Sequence, residues 1–289
     1  MSGPALTIPP GLEWWRSEPG GADWLDRLPV LVAECAGSWS LRVGEPYSGG
    51  HVSWVAPVEL PDGVPAVLKL NFPEPESEGE ADALACWAGE GAVRLLAEDE
   101  ERRALLVERC VPGTRLWDEP HEDDATHIAA GILRRLWRPP PDGHRFRLLA
   151  DLAAAWLEEL AEAPYERALV DEAVSFLREA GPAQGDAVVL HQDFHGGNVL
   201  RATREPWLAI DPKPLVGERE FDTASLLRDR RPELRVDRHP EARIRRRLDL
   251  LAAELDLDRE RMRGWGIAHA LAWDPDQDML ACARWLAAV

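Results

Sequence analysis

Residues 188–215 read VVLHQDFHGGNVLRATREPWLAIDPKPL, and they carry the strongest structural signal in the chain. Two histidines, two aspartates and an asparagine surround a Gly-Gly turn, and apolar runs typical of short β-strands lie on either side. Polar side chains gathered in this way can hold a metal ion, activate a nucleophile or handle phosphate. The spacing of the residues favours one of these three chemistries.

The metal interpretation takes His191, Asp193 and His195 as ligands. Alternate residues of a strand face the same side, so an H-x-D-x-H pattern can converge on one ion, as a metal-dependent hydrolase would require. Such a site needs further ligands, however, and the other histidines of the chain form no second cluster. A metal-dependent hydrolase is therefore the alternative function from a different class.

The spacing of the same residues matches a kinase motif. His191, Asp193 and Asn198 follow the H-x-D-x-x-x-x-N catalytic loop, in which the aspartate accepts the proton of the attacking hydroxyl and the asparagine holds Mg²⁺. Asp211 comes one strand later, directly after an apolar run, where a second carboxylate would link Mg²⁺ to the nucleotide phosphates. The pattern predicts Asp193 as the catalytic base, and Asn198 and Asp211 as metal ligands.

A lysine and a glutamate upstream agree with the kinase interpretation. Lys69 lies inside an apolar strand, where an unpaired ammonium group would be costly. A kinase needs such a lysine to contact the phosphates of ATP and to pair with a glutamate on the next helix. Glu76 and Glu80 lie four residues apart on that predicted helix and would share one face, and Glu80 is the favoured partner.

Two backbone segments complete the predicted nucleotide site. Ser48, Gly49 and Gly50 precede the strand of Lys69 and are predicted to cover the phosphates, although the same residues suit a plain hairpin turn. The strand LLVERC leads into a predicted hinge, where backbone groups from Glu108 to Cys110 would contact adenine. The order of glycine loop, lysine, glutamate, hinge, catalytic loop and aspartate is more specific than any one of these features.

The pattern of apolar residues predicts an α+β, bilobal protein-kinase-like fold. A helical extension over residues 11–38 precedes two groups of strands, over 41–72 and 92–111, with a helix from Pro75 between them. The remaining chain is predicted to be helical except for the opening segment. We expect a β-rich, nucleotide-binding lobe over residues 1–110, and a helical lobe with the catalytic loop, metal site and acceptor site over residues 111–289.

The composition restricts the possible partners. The chain carries 33 basic and 52 acidic residues, a net charge of −19, which argues against nucleic acid or an anionic membrane as a partner. No apolar run reaches membrane-spanning length, the four cysteines are scattered, and the start has no secretory signal pattern. We expect a monomeric, cytoplasmic protein.

With these residues in place, the chain resembles the aminoglycoside phosphotransferases, and more closely the streptomycin 6-kinase / hydroxyurea phosphotransferase branch. The resemblance runs from about residue 10 to 285 and includes LLVERCVPGT, LRRLWRPPP and VLHQDFHGGNVLRATREPWLAIDPKPLVGEREFD. It implies a bilobal fold and the ATP- and Mg²⁺-dependent phosphorylation of a hydroxyl on a small cationic antibiotic such as streptomycin, which confers resistance.

Carried over residue by residue, the resemblance implies the same roles for Lys69 and for the three residues of the catalytic loop and metal site. The chain departs from protein kinases in two places. Asp-Pro-Lys at 211–213 replaces Asp-Phe-Gly, and His195 stands where protein kinases usually place a lysine. His195 is a candidate for contact with phosphate or substrate, with a structural role as the alternative. Asp222 is expected to hold the catalytic segment, with contact to the substrate as the alternative.

The resemblance leaves the acceptor open. Carboxylates near Asp193 would bind a cationic acceptor. The candidates are Glu218 and Glu220, and the cluster at Trp273, Asp274, Asp276 and Asp278. Helix capping next to Pro275 explains the acidic cluster around Asp274 equally well. A tuberactinomycin peptide, hydroxyurea, and a sugar or amino sugar are the alternative acceptors.

Overall fold

The computed structural model describes residues 6–273 and 275–289. Its N-terminal part contains five antiparallel strands: β1 (Arg42–Val43), β2 (Ser53–Glu59), β3 (Pro65–Asn71), β4 (Leu95–Asp99) and β5 (Ala104–Glu108). Their spatial order is β1-β2-β3-β5-β4. In this register Lys69 of β3 lies between Val55 of β2 and Leu105 of β5, near the middle of the sheet. The strands predicted in this part of the chain are confirmed.

Two helical segments precede the sheet, a 3-10 helix (Pro10–Ser17) and α1 (Gly21–Ser38). The continuous helix predicted over residues 11–38 is therefore wrong in its first part. The break comes at Gly20, whose φ of 77° is left-handed and incompatible with a helix interior. Trp24 and Leu28 of α1 are buried in one apolar cluster with Leu68 of β3, which attaches the helical extension to the sheet.

The helix between β3 and β4 is shorter than predicted. A single 3-10 turn follows Pro75, and α2 (Glu80–Trp87) begins only after Gly79, which has a φ of 80°. Glu76 lies in the 3-10 turn, so it does not share a helix face with Glu80 as predicted. Glu80 is buried in the first turn of α2.

Helices dominate the rest of the chain. They are α3 (Glu122–Leu136), α4 (Leu149–Ala161), α5 (Arg167–Ala180), α6 (Ala224–Leu227), α7 (Arg231–Val236), α8 (Pro240–Leu255), α9 (Arg259–Ala272) and α10 (Gln277–Ala287). Nine of the 14 residues of α9 are buried, so this helix lies inside the bundle and packs against α5, α6, α8 and α10. Its Trp265 packs against Phe176 and Phe221 in edge-to-face geometry.

Five short strands lie in this part of the chain, and the last four of them fall within residues 188–217. They are β6 (Arg147–Leu148), β7 (Val188–Leu190), β8 (Val199–Arg201), β9 (Trp207–Ala209) and β10 (Leu215–Gly217). β8 pairs with β9, and β10 lies between β6 and β7. The pattern predicted only helix after Asp211, so β10 is a correction. The catalytic loop thus connects β7 to β8, and Asp211 lies between β9 and β10.

The N-terminal sheet and the helical bundle meet beside Asp211. The backbone N–H of Val93 donates to the carbonyl of Ala209, and the N–H of Ala209 donates to the carbonyl of Gly91. Within residues 6–273 and 275–289, no helix combines the length and the apolar character needed to cross a membrane. The boundary at residues 110 and 111, the monomeric state and the cytoplasmic location stay predictions.

Candidate active site

Lys69 and Glu80 form a buried ion pair. Lys69 Nζ lies 2.7 Å from Glu80 Oε1 and 2.6 Å from Oε2. Asn71 Nδ2 donates to Glu80 Oε2 at 2.9 Å, and Ser53 Oγ in turn donates to Asn71 Oδ1 at 2.6 Å. These contacts keep the carboxylate of Glu80 in place, and they bring Lys69 together with Glu80 rather than with Glu76.

Asp211 joins this pair to the helical bundle. Its Oδ1 accepts from Lys69 Nζ at 2.6 Å and from Lys213 Nζ at 3.1 Å, whereas its Oδ2 makes no hydrogen bond to any described residue. Burial disfavours the ionised carboxylate, but the charges of Lys213 and Lys69 hold the pKa of Asp211 far below its ordinary value. The sequence analysis did not assign a role to Lys213. The sequence does draw attention to Lys213, because the chain contains only one other lysine, Lys69.

The catalytic loop is held together by Asn198. Its Nδ2 donates to the backbone carbonyl of Asp193 at 3.0 Å and to Asp193 Oδ2 at 3.1 Å, so its Oδ1 is left for another partner. Burial would raise the pKa of Asp193, but the adjacent His195 ring and the charge of Arg228 bring it below the ordinary value. Asp193 is therefore ionised at neutral pH, as a proton acceptor must be.

Asp222 keeps the catalytic loop in place by accepting hydrogen bonds from its backbone. Its carboxylate accepts from the backbone N–H of His191 at 3.0 Å, from that of Gln192 at 2.7 Å, and from Trp137 Nε1 at 3.0 Å. Asp222 is fully buried, and burial raises its pKa to about 6 despite these donors. Its contacts are those of a residue that positions the catalytic segment, because Gln192 directly precedes Asp193 and has a left-handed φ of 65°.

The H-x-D-x-H metal cage is not formed. His191 is fully buried, its Nε2 lies 3.0 Å from the carbonyl of Ile210, and burial lowers its pKa to about 4. A carbonyl only accepts, so this nitrogen carries a proton and cannot bind a metal. Among the described residues, no three His, Cys, Asp or Glu side chains are grouped to hold an ion. The described residues therefore offer no metal site of the kind that the metal-dependent hydrolase alternative requires.

His195 lies next to the predicted base. Its Nδ1 accepts from the N–H of Gly197 at 3.0 Å, so its proton is on Nε2, which lies 3.7 Å from Asp193 Oδ2. Burial opposes protonation of the ring, but the carboxylate of Asp193 raises the pKa of His195 above its ordinary value. The ring stacks on Trp117 with centroids 4.9 Å apart.

A cleft of about 420 Å³ opens beside Asp193 and His195. Its walls carry both signs of charge, the acids Asp229, Glu233, Asp276 and Asp278 and the arginines Arg228, Arg230 and Arg231. Three of the acids already have arginine partners, since Glu233 pairs with Arg243, Asp278 with Arg235 and Asp276 with Arg231. Asp229 accepts from the N–H of Gly196 at 2.7 Å and from the indole of Trp117.

Of the carboxylates predicted to bind the acceptor, Asp276 and Asp278 line the cleft, whereas Glu218 and Glu220 do not. Glu218 is only 2 % exposed, pairs with Arg261 at 2.6 Å, and accepts from the indole of Trp265, so it is a structural residue. Glu220 does not line the cleft either, and burial raises its pKa. Both assignments are corrected. Asp274 lies outside the residues that the structure describes.

The glycine loop is attached to the helical extension. Ser48, Gly49 and Gly50 lie in the turn between β1 and β2. Just beyond them, Trp14 Nε1 donates to the carbonyl of His51 at 2.7 Å, and Trp15 Nε1 donates to the carbonyl of Val52 at 3.1 Å. The contact between this loop and phosphate stays a prediction.

At the predicted hinge, the side chain of Glu108 has structural partners, whereas the backbone of Cys110 has no backbone partner among the described residues. The carboxylate of Glu108 pairs with Arg204 at 2.8 Å and accepts from the N–H of Arg94 at 3.1 Å. The backbone of Cys110 makes no hydrogen bond to another backbone group in the described part of the chain, and burial raises the pKa of its thiol to about 12. Adenine binding at the hinge stays a prediction.

The comparisons with known proteins agree on one family. The family model described as aminoglycoside/hydroxyurea antibiotic resistance kinase matches residues 38–274. A streptomycin 6-kinase of Streptomyces griseus is 39 % identical over 96 % of this chain and 94 % of its own length. A hydroxyurea phosphotransferase of Kitasatospora aureofaciens is 38 % identical over 93 % of this chain and 79 % of its own length.

Two solved structures share the fold. The choline kinase LicA from Streptococcus pneumoniae superposes with a TM-score of 0.62 at 13 % identity, over 91 % of this chain and all of the other. The aminoglycoside phosphotransferase APH(4)-Ia superposes with a TM-score of 0.58 at 16 % identity, over 89 % of this chain and 95 % of the other. The predicted bilobal, protein-kinase-like fold is confirmed.

Proposed function

Because the chain belongs to the aminoglycoside/hydroxyurea antibiotic resistance kinase family, we propose that it transfers the γ-phosphoryl group of ATP to a hydroxyl of a streptomycin-type antibiotic. The observation that carries the proposal is the ion-pair chain from Glu80 through Lys69 to Asp211. It joins a lysine suited to nucleotide phosphates to a carboxylate suited to a metal ion, and both lie beside the loop of Asp193 and Asn198.

Asp193 would accept the proton of the attacking hydroxyl. Its pKa lies below the ordinary value, so the carboxylate is ionised over the physiological range. Asn198 holds one of its oxygens at 3.1 Å, and Oδ1 of Asp193 has no hydrogen-bond partner among the described residues. That oxygen is the one available to a substrate hydroxyl.

The residues present fit Mg²⁺. Oδ1 of Asn198 and Oδ2 of Asp211 make no hydrogen bond within the described residues, and oxygen atoms are the ligands that Mg²⁺ prefers. When bound, the ion would neutralise negative charge on the nucleotide phosphates. Asp211 is fully ionised at neutral pH because Lys213 and Lys69 lower its pKa, so it is ready to serve as a ligand.

The dimensions of the cleft favour an antibiotic of drug size over hydroxyurea. A volume of about 420 Å³ falls within the range of roughly 300–1,000 Å³ that is typical of sites for drug-sized ligands. Hydroxyurea has only a handful of heavy atoms and would leave most of that space to water. Of the acids Asp229, Glu233, Asp276 and Asp278 in its walls, only Asp229 forms no ion pair within the described residues, so its carboxylate is the acceptor that is available to a cationic group of an aminoglycoside.

A panel of acceptors tests the proposal. Purified protein with ATP and Mg²⁺ is offered streptomycin, other aminoglycosides, tuberactinomycin peptides, hydroxyurea and simple sugars, and ADP release is scored with ³¹P NMR of the product. We expect acceptor-dependent ADP release and a phosphate ester with streptomycin, and none with the matched Asp193→Asn variant. No acceptor-dependent release would contradict the kinase activity, and turnover of hydroxyurea alone would contradict the acceptor class.

A further inference from the structure

Lysine is almost absent from this chain. Of its 33 Lys and Arg residues only Lys69 and Lys213 are lysines, and arginine occupies every other basic position. Both ammonium groups nevertheless meet at one atom, Asp211 Oδ1, at 2.6 and 3.1 Å. Lysine presents a compact point charge, whereas arginine presents a wide planar fork. The two lysines therefore mark the place where a compact cation is required.

The two ammonium groups differ in their other partners. Lys69 is neutralised by both oxygens of Glu80 in addition to Asp211. Lys213 makes no hydrogen bond from its side chain to any other described residue, although it is only 4 % exposed. An ammonium group has three donors, and this one uses only one of them among the described residues, so two remain for a further anion.

The backbone fixes Lys213 beside the catalytic loop. Its N–H donates to the carbonyl of His191 at 3.0 Å, two residues before Asp193, and its ammonium feels the charges of Asp211, Glu80 and Asp193. The transferred phosphoryl group must lie between the base and the metal-binding carboxylate, because it passes from the nucleotide to the hydroxyl that the base deprotonates. The backbone therefore holds Lys213 next to the space that the transferred phosphoryl group would occupy.

We propose that Lys213 donates a hydrogen bond to the γ-phosphoryl group of bound ATP, while Lys69 serves the α- and β-phosphates. This inference rests on the proposed function. Protein kinases usually place a lysine two residues after the catalytic aspartate, where this chain has His195. The inference assigns the role of that lysine to Lys213. As the phosphoryl group moves to the acceptor oxygen, its equatorial oxygens keep their charge, and the ammonium of Lys213 stays with them.

Nucleotide affinities test the assignment because ADP lacks the γ-phosphate. Dissociation constants of AMP-PNP and ADP, each with Mg²⁺, are measured by calorimetry for the wild type and for Lys213→Met. We expect AMP-PNP to bind roughly 10- to 100-fold more weakly, the range for one charge-assisted hydrogen bond, and ADP to stay within about twofold. The matched control is Lys69→Met, which should weaken both nucleotides alike.

The outcomes separate this inference from the proposed function. A wild-type protein that binds neither nucleotide would contradict the kinase proposal itself. A wild type that binds both, together with a Lys213→Met variant that loses both equally or neither, would overturn only the γ-phosphoryl contact. If Lys213→Met does not fold, Lys213→Gln is measured in the same way, since its amide can still donate to Asp211 but carries no charge.

A second measurement needs no change at Lys213. Protein labelled with ¹³C-lysine gives two sets of ε-methylene signals in NMR. The Lys69→Arg variant loses one set, which assigns the remaining set to Lys213. The signal of Lys213 should shift further with AMP-PNP and Mg²⁺ than with ADP and Mg²⁺, because Mg²⁺ beside Asp211 would affect both complexes and only AMP-PNP carries a γ-phosphoryl group. Equal shifts with both nucleotides would refute the contact.

Discussion

Replacing Asp222 by alanine should destabilise the protein and disable the catalytic loop together. The change leaves three donors without an acceptor, the buried N–H groups of His191 and Gln192 and the half-buried indole of Trp137. Each buried unsatisfied donor costs about 1–3 kcal/mol, so we expect the free energy of unfolding to fall by roughly 3 kcal/mol or more. Urea unfolding followed by tryptophan fluorescence measures this loss.

The loss should depend on pH with a definite sign. Burial raises the pKa of Asp222 from 3.8 to about 6, so the folded protein binds this proton more tightly than the unfolded chain. The contribution of Asp222 to stability is therefore fully present below pH 3.8 and is lost as the pH rises through 6. Alanine does not titrate, so the destabilisation should be roughly 1 kcal/mol larger at pH 5 than at pH 7.

The activity of the same variant tests the positioning role. Without Asp222 the backbone of Gln192, which directly precedes Asp193, loses its anchor. A displacement of about 1 Å of the base lowers kcat by roughly 100-fold, whereas the KM for ATP should change little because Lys69 and Glu80 are untouched. Steady-state kinetics with the acceptor found by the panel separates the two constants.

The matched control is Asp258→Ala. Asp258 is an exposed carboxylate that also accepts from two backbone N–H groups, those of Glu260 and Arg261, at the start of α9. Its loss should cost about 1 kcal/mol, as for other helix caps, and leave kcat unchanged. An Asp222→Ala protein that loses less stability than this control, or keeps kcat within threefold of wild type, would refute the positioning role.

Further changes test the remaining parts of the site. Asp193→Ala should abolish phosphoryl transfer and leave ATP affinity near wild type, and single-turnover assays that retain activity within a few-fold would exclude it as the base. Burial lowers the pKa of His191 from 6.5 to about 4, so the folded state resists its protonation, and stability should fall by about 3 kcal/mol between pH 6.5 and 4 relative to His191→Phe; parallel urea-unfolding profiles for the two proteins would contradict this. Trp14→Phe removes the donor to His51 and should raise the KM for ATP several-fold without changing that for the acceptor; an unchanged KM for ATP would mean that this contact does not support the loop. The KM of a cationic acceptor should rise several-fold between roughly 50 and 500 mM salt while that of Mg-ATP changes less, and a salt-independent KM would show that the charge of the cleft does not attract the acceptor.

The parts of the site that could be predicted from the sequence are local. Asn198 follows Asp193 by five residues across one turn, and the structure joins their side chains at 3.1 Å. Lys69 and Glu80 are 11 residues apart, at one strand and the start of the next helix, and they meet directly. Each pair matches the order and spacing of a kinase motif on neighbouring elements of the chain, and this match identifies the partners.

The parts that failed depend on contacts between distant elements. Glu218 is acidic and near Asp211 in sequence, but its orientation is set by Arg261 and Trp265, 43 and 47 residues later on α9. No local pattern contains that information. The helix expected to begin at Pro75 failed for a different reason, because Gly79 takes a left-handed conformation that the pattern of apolar residues does not report.

Comparison with a known motif overlooks Lys213, whereas the charges of the site and a count of lysines both identify it. Comparison with Asp-Phe-Gly draws attention to the missing phenylalanine and passes over the lysine that stands in place of glycine. The charges of the site explain why a second lysine is needed there. Glu80, Asp193 and Asp211 bring three carboxylates together, and Lys69 alone cannot neutralise them. ATP adds several further negative charges, so a metal ion together with both lysines is the least that the site needs to hold nucleotide and base side by side. A count of lysines, made without any motif, points to the same residue.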